Sequence, residues 1–262
     1  MTQYLEDHDI SISDILLTHW HGDHTGGVAD LLAHDARTKV HKHKPSQNQQ
    51  GIANGQVLRT QGATLRAVMT PGHTTDHTCF VLEEENALFT GDNVLGHGYS
   101  VAEDLGMYTA SLRLMASLGC TTGYPGHGAV IKNLPRKIAT YIKQRESRER
   151  QIYEALVKRA SSGALRSGRN SSTSSSISDS SGGESDAGSS GDDEDDNDGL
   201  SITDICHLLY GELSKDTATF ESALKPIINQ VLLMLAERGK VDSKLVGLEE
   251  TRHWFARIHP VN

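Results

Sequence analysis

His19, His21, Asp23 and His24 fall within six consecutive positions of the stretch Thr18 to Gly27, which reads T-H-W-H-G-D-H-T-G-G. Imidazole nitrogens and carboxylate oxygens are the donors that suit zinc and similar divalent ions. The cluster directly follows the apolar run Ile15-Leu16-Leu17, so a predicted strand ends in it. Histidines at i and i+2 of an extended segment point to one side, because the strand period is two. The Asp23-His24 pair, placed beyond Gly22, can then turn toward a second ion. Solvated surface histidines are the competing reading, and positions further along the chain speak against it.

Those positions are His73, Asp92 and His127. His73 stands in T-P-G-H-T-T-D-H after the strand-like run from Thr64 to Met69, Asp92 in F-T-G-D after Ala87 to Thr90, and His127 in Y-P-G-H-G. Each is a short apolar run, then a glycine-containing turn that permits tight backbone geometry, then a candidate ligand. Any one of these alone reads as an ordinary surface or core residue. Four predicted strand ends that deliver ligands to one sheet edge read as a rigid two-metal site.

The series H-x-H-x-D-H, His73, Asp92 and His127 resembles the metallo-β-lactamase superfamily, with all seven ligand positions intact. The resemblance implies that His19, His21 and His73 hold one metal, that Asp23, His24 and His127 hold the other, and that Asp92 bridges them. Asp23 and Asp92 would also help fix the attacking water. Asp92 stands where zinc β-lactamases commonly carry cysteine, which favours a glyoxalase-II-like ligand set. The stretch Asp76 to Gly128 is similar to the lactamase-beta-like group, which includes endoribonucleases and fungal thioesterases that release aromatic polyketides from carrier proteins. The likeness is close over residues 10–160 and looser over 200–262. It implies an αββα sandwich, yet only about eighteen residues precede the first motif. The first half of the sandwich is therefore expected to be N-terminally truncated, which would expose apolar surface.

The 262 residues suffice for one or two domains with a core. No run approaches the ~20 apolar residues that cross a bilayer, and the polar, acidic opening from Met1 to Asp9 carries no signal-peptide core. Cys79, Cys120 and Cys206 are odd in number and scattered, which suits small buried thiols in a reducing, intracellular and cytoplasmic setting. Residues 161–199 are rich in serine, glycine and acid, and read as a disordered linker. Nine acids and two arginines there account for −7 of the net charge of −9. The remainder of the chain offers no basic field for a polyanion.

Three organisational units follow: residues 1–160, the linker 161–199, and residues 200–262. In the first, Leu105, Tyr108, Leu112, Met115 and Leu118 recur at three- and four-residue steps and predict a core-facing helix from Asp104 to Leu118. A second helix is predicted over Leu134 to Ala160, with a charged surface that reads as an ion-paired face. In the third, Ser201 to Asp204 predicts an N-cap before Ile205, a further helix spans Phe220 to Arg238, and a small hairpin ends near Trp254. This order resembles a winged helix, for which a protein contact or a pocket wall fits better than DNA reading.

Two divalent ions, zinc in the first place and manganese or iron as alternatives, would activate water against a carbonyl or phosphoryl centre. The leading expectation is a thioesterase that frees an acyl or polyketide chain from an acyl carrier protein or polyketide synthase, with Tyr99 and Trp254 as apolar substrate wall. A single-strand endoribonuclease is the runner-up. A catalytically silent interaction protein is the third reading, prompted by the short N-terminus.

Overall fold

The structure, a computed structural model, describes residues 2–170, 199–247 and 249–257. The chain divides into two compact units, Met1–Glu146 and Ser147–Asn262.

The first unit opens with α1 (Thr2–Asp7), β1 (Asp14–Leu16), α2 (Gly22–Thr25), α3 (Val28–His34), β2 (Lys39–Lys42) and β3 (Gln50–Gly51). β1 and β2 pair in parallel, as do β2 and β3, and form a three-stranded sheet. Parallel neighbours need a crossover, which α2 and α3 supply between β1 and β2. A second sheet has the order β4 (Val57–Thr60), β5 (Ala63–Met69), β6 (Thr78–Leu82), β7 (Ala87–Gly91), β8 (Thr122–Pro125). Its first four strands are antiparallel neighbours, whereas β8 joins β7 in parallel after the crossover helix α4 (Leu105–Ser117).

Side-chain alternation along β5 and β6 separates two apolar layers. Val68, Cys79 and Val81 pack with Leu88, Tyr108, Leu112, Met115, Leu134 and Ile138 against the helices. Ala67 and Phe80, on the opposite face, pack with Ile52, Leu16, Leu58 and Leu65, so residues of both sheets meet there. α4 is capped by Asp104, whose side chain accepts from the Met107 N–H, and it buries the stripe read from the sequence.

Helix α5 (Leu134–Asn170) continues ten residues past the expected end at Ala160, into the predicted linker. Extending an existing helix avoids the cost of nucleation, so a polar continuation can remain helical. The rest of the expected linker, 171–198, lies outside the described residues.

In the second unit, β9 (Leu200–Ser201) leads into α6 (Ile202–Tyr210). A helical turn, α7 (Thr217–Thr219), passes through a π-helical stretch, Phe220–Leu224, into α8 (Lys225–Glu237). The hairpin β10 (Val241–Val246) and β11 (Thr251–Ala256) follows, and β11 also pairs with β9. The capping box forms: the Ser201 hydroxyl accepts from the Asp204 N–H at 3.1 Å, and the Asp204 carboxylate accepts from the Ser201 N–H at 2.9 Å. Trp254 is 1% exposed, which removes it from the expected substrate wall. It sits on β11, the middle strand of the three, opposite Ser243 on β10 and Leu200 on β9.

Candidate metal centre

Strand direction brings the candidate ligands together. β5, β7 and β8 all run one way, because β6 reverses the chain between β5 and β7, and β8 is parallel to β7. Their C-terminal ends therefore share one edge, and His73, Asp92 and His127 follow those ends. The first motif arrives from β1. His19 and His21 lie in the segment after that strand rather than on it, and Asp23 and His24 lie in α2. The Thr78 N–H donates to the Thr18 carbonyl at 2.8 Å and ties this segment to β6.

All seven predicted residues converge, in two groups. His19, His21, His73 and Asp92 form one, and Asp23, His24 and His127 the other, each with its donor atoms within 4.8 Å of one another. In the first group His19 Nε2 lies 2.9 Å from His21 Nδ1, which lies 3.2 Å from His73 Nε2. In the second, His24 Nε2 and His127 Nε2 are 3.3 Å apart, and Asp23 Oδ2 is 3.0 Å from His127 Nε2. Asp92 spans both, with Oδ2 3.7 Å from His73 Nε2 and 3.5 Å from His127 Nε2, and Oδ1 3.3 Å from His24 Nε2.

These donors fit divalent metal. The carbonyl of Val101 can only accept, so His73 donates to it from Nδ1 at 2.9 Å and keeps a lone pair on Nε2. That lone pair faces another imidazole nitrogen, an arrangement favourable only with a cation or a proton between them. Tetrahedral zinc with bonds of ~2.0–2.1 Å would hold neighbouring nitrogens roughly 3.3 Å apart, close to the separations seen. Burial, reinforced by the surrounding histidines, lowers the pKa of His19 to about 3, and burial also lowers that of His73, so both rings are neutral and able to ligate. At Asp23 desolvation is the largest single effect and acts upward, but its own backbone amide, His24 and His127 together outweigh it and hold the carboxyl below its usual range. Asp92 is buried, and its Oδ1 has no hydrogen-bond partner. A buried carboxylate oxygen without a donor is costly unless a cation satisfies it.

The two groups differ in access. His19, His73 and Asp92 are buried, whereas Asp23 is 57% exposed at its side chain and His127 43%. The second group is the more open to solvent. Gly126 permits the close approach of the β8 loop: a Cβ there would lie 2.5 Å from Asp92 Oδ1 and 2.6 Å from His24 Cε1.

Sequence reasoning assigned no role to His77, Thr70 or Asn93, all fully buried beneath Asp92. His77 carried a signal, since it is the second histidine of P-G-H-T-T-D-H. Trp20, within the first motif, is 53% exposed and sets its ring edge-on to His21 at 4.5 Å between centroids.

Two stacked sheets flanked by helices, with a double His/Asp cluster at one edge, make an α/β sandwich that carries a candidate metal centre. No protein-family model matches the chain. It is 60% identical, over 92% of its length and 71% of the relative's, to "Thioesterase pkgB" of Emericella nidulans. It is 46% identical to "Lactamase-like protein nscB" of Arthroderma gypseum, over 98% of this chain and 74% of that one. Among solved structures, a β-lactamase domain protein from Burkholderia ambifaria matches with a TM-score of 0.70 at 14% identity, covering 97% of this chain and 78% of that one. A metallo-β-lactamase family protein from Thermus thermophilus matches with a TM-score of 0.61 at 18% identity, covering 98% and 84%. The chain belongs to the metallo-β-lactamase superfamily.

Proposed function

We propose that this protein is a metal-dependent thioesterase that releases an acyl or polyketide chain from a carrier protein in secondary metabolism. The observation that carries this reading is the 60% identity to a protein named as a thioesterase, extending over 92% of the chain. The converged ligand set supports it. His19, His21 and His73 would hold one divalent ion, Asp23, His24 and His127 a second, and Asp92 would serve both, with zinc the first choice and manganese or iron alternatives. Such ions would supply a water-derived nucleophile at neutral pH and polarise the thioester carbonyl.

The chain's own residues do the rest. The neutral imidazoles leave their lone pairs free, and Val101 fixes the His73 ring through its carbonyl. Asp23, a member of the open group, has an exposed carboxylate placed to accept a proton from water. Trp20, Tyr99 and Val101 are exposed apolar side chains next to His21 and on either side of Ser100, whose hydroxyl lies 3.3 Å from His73 Nδ1. They offer a surface to the acyl chain. A thiolate leaves without strong acid assistance, which suits a site built from imidazoles and carboxylates that would hold metal.

The partner in this reading is an acyl carrier protein or polyketide synthase. The capped α6, the helix α8 and the sheet of β10, β11 and β9 fit a winged-helix unit used for protein contact. Buried, unpaired Cys79, Cys120 and Cys206 suit an intracellular setting. No helix among the described residues is long and apolar enough to cross a membrane.

The test is a paired assay on one preparation. Acyl-carrier or simple acyl thioesters should be hydrolysed, with thiol release, and single-stranded RNA should be left intact. Efficient RNA cleavage without thioester turnover would overturn the proposal in favour of an endoribonuclease, and loss of both activities in metal-loaded protein would leave an interaction protein.

A further inference from the structure

Asp92 reaches the two ligand groups from the turn Gly91-Asp92-Asn93, and buried side chains outside both groups hold that turn. The Asp92 backbone N–H donates to His77 Nε2 at 3.1 Å. A backbone amide can only donate, so His77 Nε2 is the acceptor and the ring proton sits on Nδ1. From there it is donated to Thr70 Oγ1 at 3.0 Å, and the Thr70 hydroxyl in turn donates to Cys79 Sγ at 3.2 Å. Asn93 donates from its side-chain amide to the Thr70 carbonyl at 2.7 Å, and the Tyr108 hydroxyl donates to the Asn93 carbonyl at 2.5 Å. Thr70, His77, Asn93 and Tyr108 are all fully buried. Gly91 passes so close that a Cβ would stand 2.6 Å from His77 Nε2, and its φ of 48° lies in the left-handed region.

We propose that His77 is a positioning residue: as an acceptor for the Asp92 N–H it fixes the turn that aims the Asp92 carboxylate at both ligand groups. His77 belongs to neither group of candidate ligands, and it acts through Asp92. This rests on the two-ion reading above. Its physical basis is that the Asp92 backbone is held from beneath, so its carboxylate can span the groups while Oδ1 remains without a hydrogen-bond donor. Take away the acceptor, and a buried N–H is left unpaired and the turn is free to rotate toward another partner.

The test compares wild type, His77→Ala, His77→Gln and Thr70→Val, each loaded with Co2+. Readouts are metal stoichiometry, affinity for the second ion, the visible spectrum of the bound cobalt, and thermal unfolding. Glutamine can offer an amide oxygen near the place of Nε2, and alanine offers nothing. His77→Ala should remain folded, alter the cobalt spectrum and bind the second ion about 10–100-fold more weakly, the usual cost of losing an outer-shell partner. His77→Gln should recover most of that loss, and Thr70→Val, which removes the acceptor for Nδ1–H, should fall between. A folded His77→Ala with the wild-type spectrum and affinity would overturn the proposal, as would His77→Gln no better than alanine. Should His77→Ala fail to fold, Thr70→Val decides: a weaker second ion supports the proposal and an unchanged one overturns it. Wild-type protein that takes up no Co2+ would overturn the metal reading itself, and this proposal with it.

Discussion

Asp92 is the residue on which both ligand groups depend, because its two oxygens face different histidines. Replacing it with alanine should leave at most one ion per chain by elemental analysis. Turnover should fall by at least about 100-fold, the upper end of what an outer-shell partner alone costs. Trp20 tests the substrate side. About 55 Å² of apolar contact at ~25 cal/mol per Å² is worth ~1.4 kcal/mol, or tenfold in KM. Trp20→Ala should therefore raise KM roughly tenfold for an aromatic acyl thioester and leave an acetyl thioester and the metal content nearly unchanged. Equal losses on both substrates would remove Trp20 from the acyl surface. Acid should destabilise the fold through His19. Its folded-state pKa of about 3 lies below the ordinary value of 6.5, so the unfolded chain binds a proton that the folded chain does not. The stability concerned is fully present above pH 6.5 and is lost as pH falls toward 3, with His73 and His77 acting in the same direction. Metal-stripped protein should melt at progressively lower temperature from pH 7 to pH 5, and a flat profile would contradict buried neutral imidazoles.

At the scale of elements, the ligands and the runs before them were legible because both are local. A ligand is a residue type, and β5, β7 and α4 announce themselves by alternation or by three- and four-residue steps. The Ser201 cap was equally readable, and Ser201→Ala should lower the stability of the second unit by about 1 kcal/mol, seen as a lower melting temperature. No change would mean that the Asp204 carboxylate alone suffices. What was not legible depends on pairing between distant segments. β2 and β3 are four and two residues long and gain their identity from parallel partners. The end of α5 carries no stop signal that overrides propagation. Trp254 is buried on the middle strand of its sheet, a placement that its neighbours in sequence do not reveal. His77 was visible as a histidine, but its role lies in a hydrogen bond to an amide fifteen residues away.

For the whole molecule, the division of labour follows from where the ligands lie. All seven fall between residues 19 and 127, inside the first unit. Replacing residues 171–198 with a short flexible spacer should leave metal content unchanged, and loss of metal would show that the acidic tract takes part in the centre. In the proposed reaction two ions in this first unit drive thioester hydrolysis, so metal-free protein should be titrated with zinc while thiol release from an acyl thioester is followed. Turnover should be absent at the start, rise as zinc is added, level off at two equivalents per chain, and vanish again with chelator. Full turnover by metal-free protein, or a rate indifferent to added zinc and chelator, would contradict it.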